Sequence, residues 1–262
     1  MNIQNYKKKL IHRPEYIKDG AEGFLIPNKL LNKNDEKALG VKFVANRLLF
    51  GQCYQLLFPE YFDSMPENSG VLIRGFVDTD KILNHISYPG DIDLLVIPYH
   101  ENELILSRTL AIELKIVRAT FIKQGKSPNQ YGFSQSQALL DAGFPYTAVG
   151  HLIISDDSPR EHWRDVLSTT IVNGETGECS KLESVQTDML PADLINRSFG
   201  RLKANRVNPN IGCFSSYLSD GGIWYPKGEE AKINQNTMKS TLDSIWKYYC
   251  NDSNSFFDTR RY

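Results

Sequence analysis

Cysteine is scarce, with four in 262 residues, at Cys53, Cys179, Cys213 and Cys250, and no two form a C-x-x-C pair. That excludes a zinc knuckle and a disulfide framework, and fits reduced thiols in a cytosol. Net charge is almost absent: 30 Lys and Arg stand against 31 Asp and Glu, a formal −1. Bulk charge therefore cannot carry nucleic-acid binding, and any such binding needs a local basic surface. Long apolar runs are missing too, since no window approaches the ~18 residues a membrane span requires. The basic opening MNIQNYKKKLIHRPEY lacks the apolar stretch of a signal peptide. The expectation is a soluble, cytoplasmic protein with no membrane partner.

Several catalytic signatures are also absent. There is no G-x-S-x-G, and His12, His85, His100, His151 and His162 show neither H-E-x-x-H nor any close metal-binding spacing. His151, inside an apolar run, reads as a hydrogen-bonded core residue, and His100 as part of a turn. The stretch Thr120–Ser127 resembles a phosphate-binding loop only superficially. Its first glycine is replaced by Thr120, and Pro128 follows where a helix should begin. It reads as a solvated connector.

What remains is an ordinary globular composition, 41% hydrophobic and 23% charged, with no linker that divides the chain. One α/β domain is expected, with peripheral additions. Asn34 or Asp35 can cap a helix that begins near Glu36 and continues through EKALGVKFVANRLLFGQCYQLL. One face of it would carry Glu36, Leu39, Gly40, Phe43, Arg47 and Phe50. Prolines and Gly70 in FPEYFDSMPENSG then break the helix. Strands are expected at 71–77 and 91–99, and within 104–117, the last two paired as a hairpin. Ser134 can cap a short helix closed by Gly143, and 146–155 reads as a strand buried on both faces. Further on, LPADLINRSFGRLKA reads as helix and NIGCFSSYL as strand. NTMKSTLDSIWKYYC reads as a helix with Met238, Leu242, Ile245 and Tyr249 on one side.

The chemistry lies in YPGDIDLLVIPYHENELILSRTLAIELKIV. Side chains alternate along a strand, so Asp91 and Asp93 share a face, as do Glu113 and Lys115. In a hairpin, two or three carboxylates and one ammonium then converge amid apolar neighbours. Buried charges must be paired or bound to metal, and self-repelling carboxylates favour a hard cation such as Mg²⁺. Held by Asp93 and Glu113, such an ion could polarise a phosphate and lower the pKa of water. Lys115 could orient that water or neutralise charge at phosphorus. The plainer alternative is a solvated hairpin whose acids and lysine form surface salt bridges.

Gly90-Asp91-Ile92-Asp93-Leu94 followed by Ile112-Glu113-Leu114-Lys115 resembles the PD-(D/E)XK nuclease superfamily, the restriction-endonuclease-like fold. The resemblance extends over roughly residues 35–155, leaving 156–262 as C-terminal helical and strand additions. It implies a mixed central sheet flanked by helices and Mg²⁺-dependent hydrolysis of nucleic-acid phosphodiesters, with Mn²⁺ able to substitute. Asp93 matches the family's aspartate, and Asp91 would be an accessory metal ligand. The family's glutamine on the following helix is answered by Gln135 or Gln137. Its acid on the first helix is answered by Glu36 in the first turn, or by Glu60 just beyond.

Two acid-free basic runs bear on the partner: Arg118, Lys123 and Lys126 after the Lys115 strand, and Arg197, Arg201, Lys203 and Arg206. Beside a nuclease site they become candidates for gripping phosphates. Trp224 and Tyr225 could stack on a base, but covering the sheet is the favoured reading. DNA is the expected substrate, in a defence, restriction, mobile-element or repair setting, with a self-dimer or partner protein supplying selectivity. The alternatives are an RNA-cleaving enzyme and a catalytically silent scaffold or nucleic-acid-binding protein of the same fold.

Overall fold

The computed structural model describes residues 3–11, 35–83, 90–128, 130–219 and 224–260. His12, Asn34, His85 and Pro89 lie outside them. Asp35 caps the first helix by accepting the Ala38 N–H at 2.8 Å. That helix does not run unbroken to residue 57 as its periodicity suggests. It ends as α1 at Glu36–Ala45, and α2 spans Arg47–Leu57. Asn46 divides them by leaving helical geometry and accepting the Leu49 N–H at 3.1 Å, the local competition by which Asn starts a new helix. The proline-bearing stretch beyond is not only a break, because Pro59 opens a short helix α3, Pro59–Ser64.

The strands are β1 (Lys7–Lys9), β2 (Ser69–Asp78), β3 (Asp91–His100), β4 (Glu103–Ile105), β5 (Leu110–Arg118) and β6 (Tyr146–Ile154). They continue with β7 (Arg164–Ser168), β8 (Ile171–Asn173), β9 (Glu178–Cys179), β10 (Glu183–Thr187), β11 (Gly212–Tyr217), β12 (Lys227–Glu229) and β13 (Phe257–Arg260). Three helices complete the order: α4 (Phe133–Asp141), α5 (Leu190–Asn205) and α6 (Lys239–Asp252). The α4 cap is Gly132 in the left-handed region, so Ser134 lies within the first turn and is not the cap.

Nine strands form one mixed sheet. β2 runs antiparallel along one edge of β3, and the other edge is shared by β4 and β5, both antiparallel. The expected hairpin therefore exists, but it is interrupted: β4 closes the turn against Tyr99 and His100 before a 3₁₀ turn leads into β5. β6 pairs parallel to β5 after the α4 crossover, and β11 pairs parallel to β6.

Alternation along the strands assigns the two layers. Leu94, Ile112, Leu114 and Leu152 face one way, onto Phe43, Phe50 and Leu57 of α1 and α2. Leu95 and Ala111 face the other way, onto Leu139 of α4 and Leu242, Ile245 and Tyr249 of α6. Met238 lies outside that helix as its N-terminal flank. Val149 and Cys213 meet Phe133, Leu140 and Leu202 of α4 and α5 on this second face. Residues 164–187, which carry no clear pattern in sequence, make two exposed two-stranded ribbons, β7 with β10 and β8 with β9. Among the described residues, no helix is long and apolar enough to cross a membrane. All four cysteines are free thiols.

Candidate active site

The ladder between β3 and β5 stops at Leu94 and Ile112. Asp93 and Glu113 are the next residue on each strand, so both point to the α4 face where the strands part. The Leu114 N–H, beyond the last ladder pair, donates to Asp93 Oδ2 at 2.7 Å. Asp93 is 9% exposed and Glu113 only 2%. This excludes the solvated hairpin, because an acid so buried cannot be half of a surface salt bridge.

Lys115 Nζ donates to Glu113 Oε1 at 2.6 Å, while Glu113 Oε2 is buried with no hydrogen-bond partner. Glu36 Oε1, from the first turn of α1, stands 4.0 Å from the same ammonium. Burial pushes the Asp93 carboxyl up to about 6, against the Leu114 N–H, which favours its charged form. Burial, and next the charge of Asp93, push Glu113 up to about 8 despite Lys115. For Lys115, burial disfavours the ammonium, but the hydrogen bond and charge of Glu113 outweigh it and raise its pKa. The site is thus a crowded acid pair with one cation too few.

A divalent cation suits that imbalance. The orphaned Glu113 Oε2 and the shared face of two oxygen donors match what a hard ion takes. Among the described residues, no group of three or more His, Cys, Asp or Glu side chains is gathered closely enough to hold a metal ion. The donor set on this face is the Asp93–Glu113 pair, with Glu36 and Asp91 farther out. Asp91 pairs with Lys37 at 3.3 Å at the surface. Glu60, in the exposed first turn of α3, is not in this group. It adjoins Tyr61, which packs under Arg108 at the opposite end of β5.

The two glutamines separate, because residues two apart lie on opposite sides of a helix. Gln135 turns toward the start of β3: a Cβ on Gly90, the residue just before that strand, would lie 3.6 Å from the Gln135 Nε2. Gln137 does not. Its Nε2 donates to Asp141 at 2.8 Å, and its Oε1 accepts from Asn208 at 2.7 Å.

Gly132 and His151 complete the floor, and neither stands out as a site residue in sequence. Gly132 has φ +87°, and a Cβ there would meet Glu113 Cγ at 2.9 Å and Val149 Cγ1 at 3.3 Å. Only glycine lets the connector lie against β5. The one sequence signal for it is a glycine just ahead of a helix. His151 sits beside Lys115 in the β5–β6 register. It is buried as a core residue should be, with Nδ1 3.0 Å from Ser198 Oγ and its ring stacked on Tyr131. Burial drives it down to about 4, so it is neutral at physiological pH.

An open groove of about 510 Å³ leads away from Lys115, lined by Glu36, Ile116, Arg118, Lys126, Ser127 and Gln130 among others. Arg201 donates to the Lys126 carbonyl at 2.8 Å and Arg197 to Gln124, so α5 clamps the connector that forms one wall. Lys123 lies in a tight exposed turn, its N–H on Thr120 Oγ1 at 3.0 Å, and is not among the groove-lining residues. Lys203 and Arg206 turn elsewhere and pair with Glu229 at 2.5 and 3.0 Å. Trp224 packs beside the Val117 and Leu194 cluster, whereas Tyr225 is 82% exposed and covers nothing. His100 is the last residue of β3, not a turn residue. Comparison with family models, curated proteins and solved structures finds no match to this chain.

Proposed function

We propose that the protein is a metal-dependent nuclease of the restriction-endonuclease-like type, hydrolysing phosphodiester bonds of DNA. One observation carries the reading: a buried Asp93–Glu113 pair on one sheet face, with the Lys115 ammonium on Glu113 Oε1 and the other carboxylate oxygen unpartnered. Without metal the crowding of two buried acids is relieved by protonating Glu113, and a divalent cation would relieve it instead. The element order α1–α2, β2, β3, β5, α4, β6, with three antiparallel strands and a parallel fourth, supports the same reading.

Asp93 and Glu113 would hold Mg²⁺ or Mn²⁺, with Glu36 or Asp91 as outer contributors. A bound ion would supply Lewis-acid polarisation of the phosphate and a lowered pKa for water. The chain's own groups do the rest. Lys115 offers a desolvated positive charge where negative charge grows on the phosphate in the transition state. The amide of Gln135, at the Gly90 end of β3, can orient a water or a phosphate oxygen. Arg118 and Lys126 along the groove engage flanking phosphates, which supplies affinity without sequence choice.

The test is cleavage of plasmid, linear, single-stranded and RNA substrates with Mg²⁺, with Mn²⁺ and with a chelator. Nicking of DNA that requires metal is expected. Lys115→Ala should lose cleavage by orders of magnitude, while metal and DNA binding persist, because its charge matters most in the transition state. Lys115→Arg should not rescue, since a planar guanidinium does not replace a compact ammonium in a tight site. Full activity in Lys115→Ala would overturn the mechanism. Cleavage of RNA alone would move the substrate, and binding without cleavage of any substrate would favour a scaffold.

A further inference from the structure

At the other end of β5 a second group of polar side chains lies unused. Arg108 closes the 3₁₀ turn before β5, and its guanidinium lies 4.3 Å from the centroid of the Tyr61 ring. It is partly buried, yet among the described residues it makes no hydrogen bond and no ion pair. Arginine carries five N–H donors in a rigid fork, and a desolvated fork ordinarily meets a carboxylate or a carbonyl. Here the surroundings are aromatic. Tyr146 opens β6 beside Leu110, and Tyr54, Phe58 and Tyr61 pack around it from α2 and α3. The Tyr54 hydroxyl is fully buried and has no partner. Burial holds the Tyr54 phenol protonated, with the charge of Arg108 acting on it as on Tyr61 and Tyr146. All four groups thus have protons to offer an incoming acceptor.

The geometry points to an oxyanion site at Arg108, with the guanidinium as charged clamp and the Tyr54, Tyr61 and Tyr146 hydroxyls as neutral donors. Its ligand is a small oxyanion presenting two oxygens to the fork, a carboxylate or a phosphate. The Tyr61 ring, its centroid 4.3 Å from the guanidinium carbon, restrains the side chain before the ligand arrives, which lowers the ordering cost of binding. The site is separate from the acid pair. Arg108 lies two residues before β5 and Glu113 three further along it, at most roughly 16 Å away at ~3.3 Å per residue. Tyr54 and Tyr146 also belong to the layer under α1 and α2, opposite the Asp93–Glu113 face. A bound anion there would stiffen the junction of α3 with the starts of β5 and β6.

The experiment is thermal melting and calorimetry of the whole protein with inorganic phosphate and, separately, acetate, against chloride of matched ionic strength. Wild type should gain several degrees with at least one of the two oxyanions. Arg108→Gln should lose at least ten-fold in that affinity, with plasmid binding and any cleavage unchanged. Arg108→Lys should recover little, because a point charge does not reproduce the fork. Lys126→Ala is the control for phosphate held in the groove and should leave this binding intact. The phosphate and acetate arms distinguish the two ligand chemistries. No oxyanion effect beyond chloride, or an effect that survives Arg108→Gln, would overturn the proposal. Tyr54→Phe keeps the fold testable if Arg108→Gln fails to fold: it should weaken binding several-fold, and an unchanged affinity would likewise overturn it.

Discussion

The Asp93 carboxylate accepts the backbone N–H of Leu114 at 2.7 Å, bridging the point where β3 and β5 part. One carboxylate oxygen is thereby spent on the fold, and the other takes no part in that bond. Asp93→Ala should therefore cost about 1–3 kcal/mol, because it leaves a buried N–H unsatisfied. Asp93→Asn retains an acceptor and should melt near wild type while abolishing cleavage and Mg²⁺ binding. Calorimetry with Mg²⁺ beside a melt of both variants checks this. Retained Mg²⁺ affinity in Asp93→Asn would remove Asp93 from the ligand set.

The pH dependence of stability should expose Glu113. Its folded-state value is raised from 4.5 to about 8. The buried acid fits best protonated, so its contribution is full below pH 4.5 and is lost as pH rises through 8. Glu113→Gln cannot titrate. Relative to wild type without metal, it should gain more than about 1 kcal/mol between pH 5 and pH 8.5. Denaturant melts at the two pH values measure the difference. A pH-independent gap would mean that Glu113 is charged throughout.

Gly132→Ala should disturb site and stability together. The left-handed φ of +87° and the 2.9 Å approach to Glu113 Cγ leave no room for a methyl group. The strain is about 1–3 kcal/mol, and relief by shifting Glu113 would cost activity as well. Gly125→Ala meets nothing within 4 Å and should be silent. Unchanged melting and cleavage in Gly132→Ala would show that the connector does not press on Glu113.

The basic residues should divide by their partners. Arg118→Ala with Lys126→Ala, measured in the inactive Lys115→Ala background, should weaken DNA binding for all sequences. The salt slope should fall by about one for each phosphate that is no longer neutralised. Lys203→Ala should leave both unchanged, because its ammonium is already on Glu229. An equal effect from Lys203 would mean that DNA crosses the α5 and β12 surface instead.

Much of this site is legible in the sequence because strand periodicity is a local property. Two-residue alternation in DIDLL and IELKI is enough to put Asp91 with Asp93 and Glu113 with Lys115. The pairing of β3 with β5 then brings Asp93 to the face of Glu113, and a capping aspartate marks the start of α1. The mixed α/β class follows from the same periodicities. Other features depend on neighbours distant in the chain. Gln135 and Gln137 differ only in which side of α4 meets Gly90 and which meets Asn208. Lys203 reads like Arg197 until Glu229 arrives from β12. Burial, which drives Glu113 and Asp93 upward and keeps His151 neutral, exists only once α4 and α5 close over the sheet. The break at Asn46 was open to view, but the apolar period of α1 and α2 runs straight through it, and a side-chain cap outweighed that pattern. The chain's local chemistry chose the residues, and the packing of helices on both faces decided which of them are dry, paired or free to act.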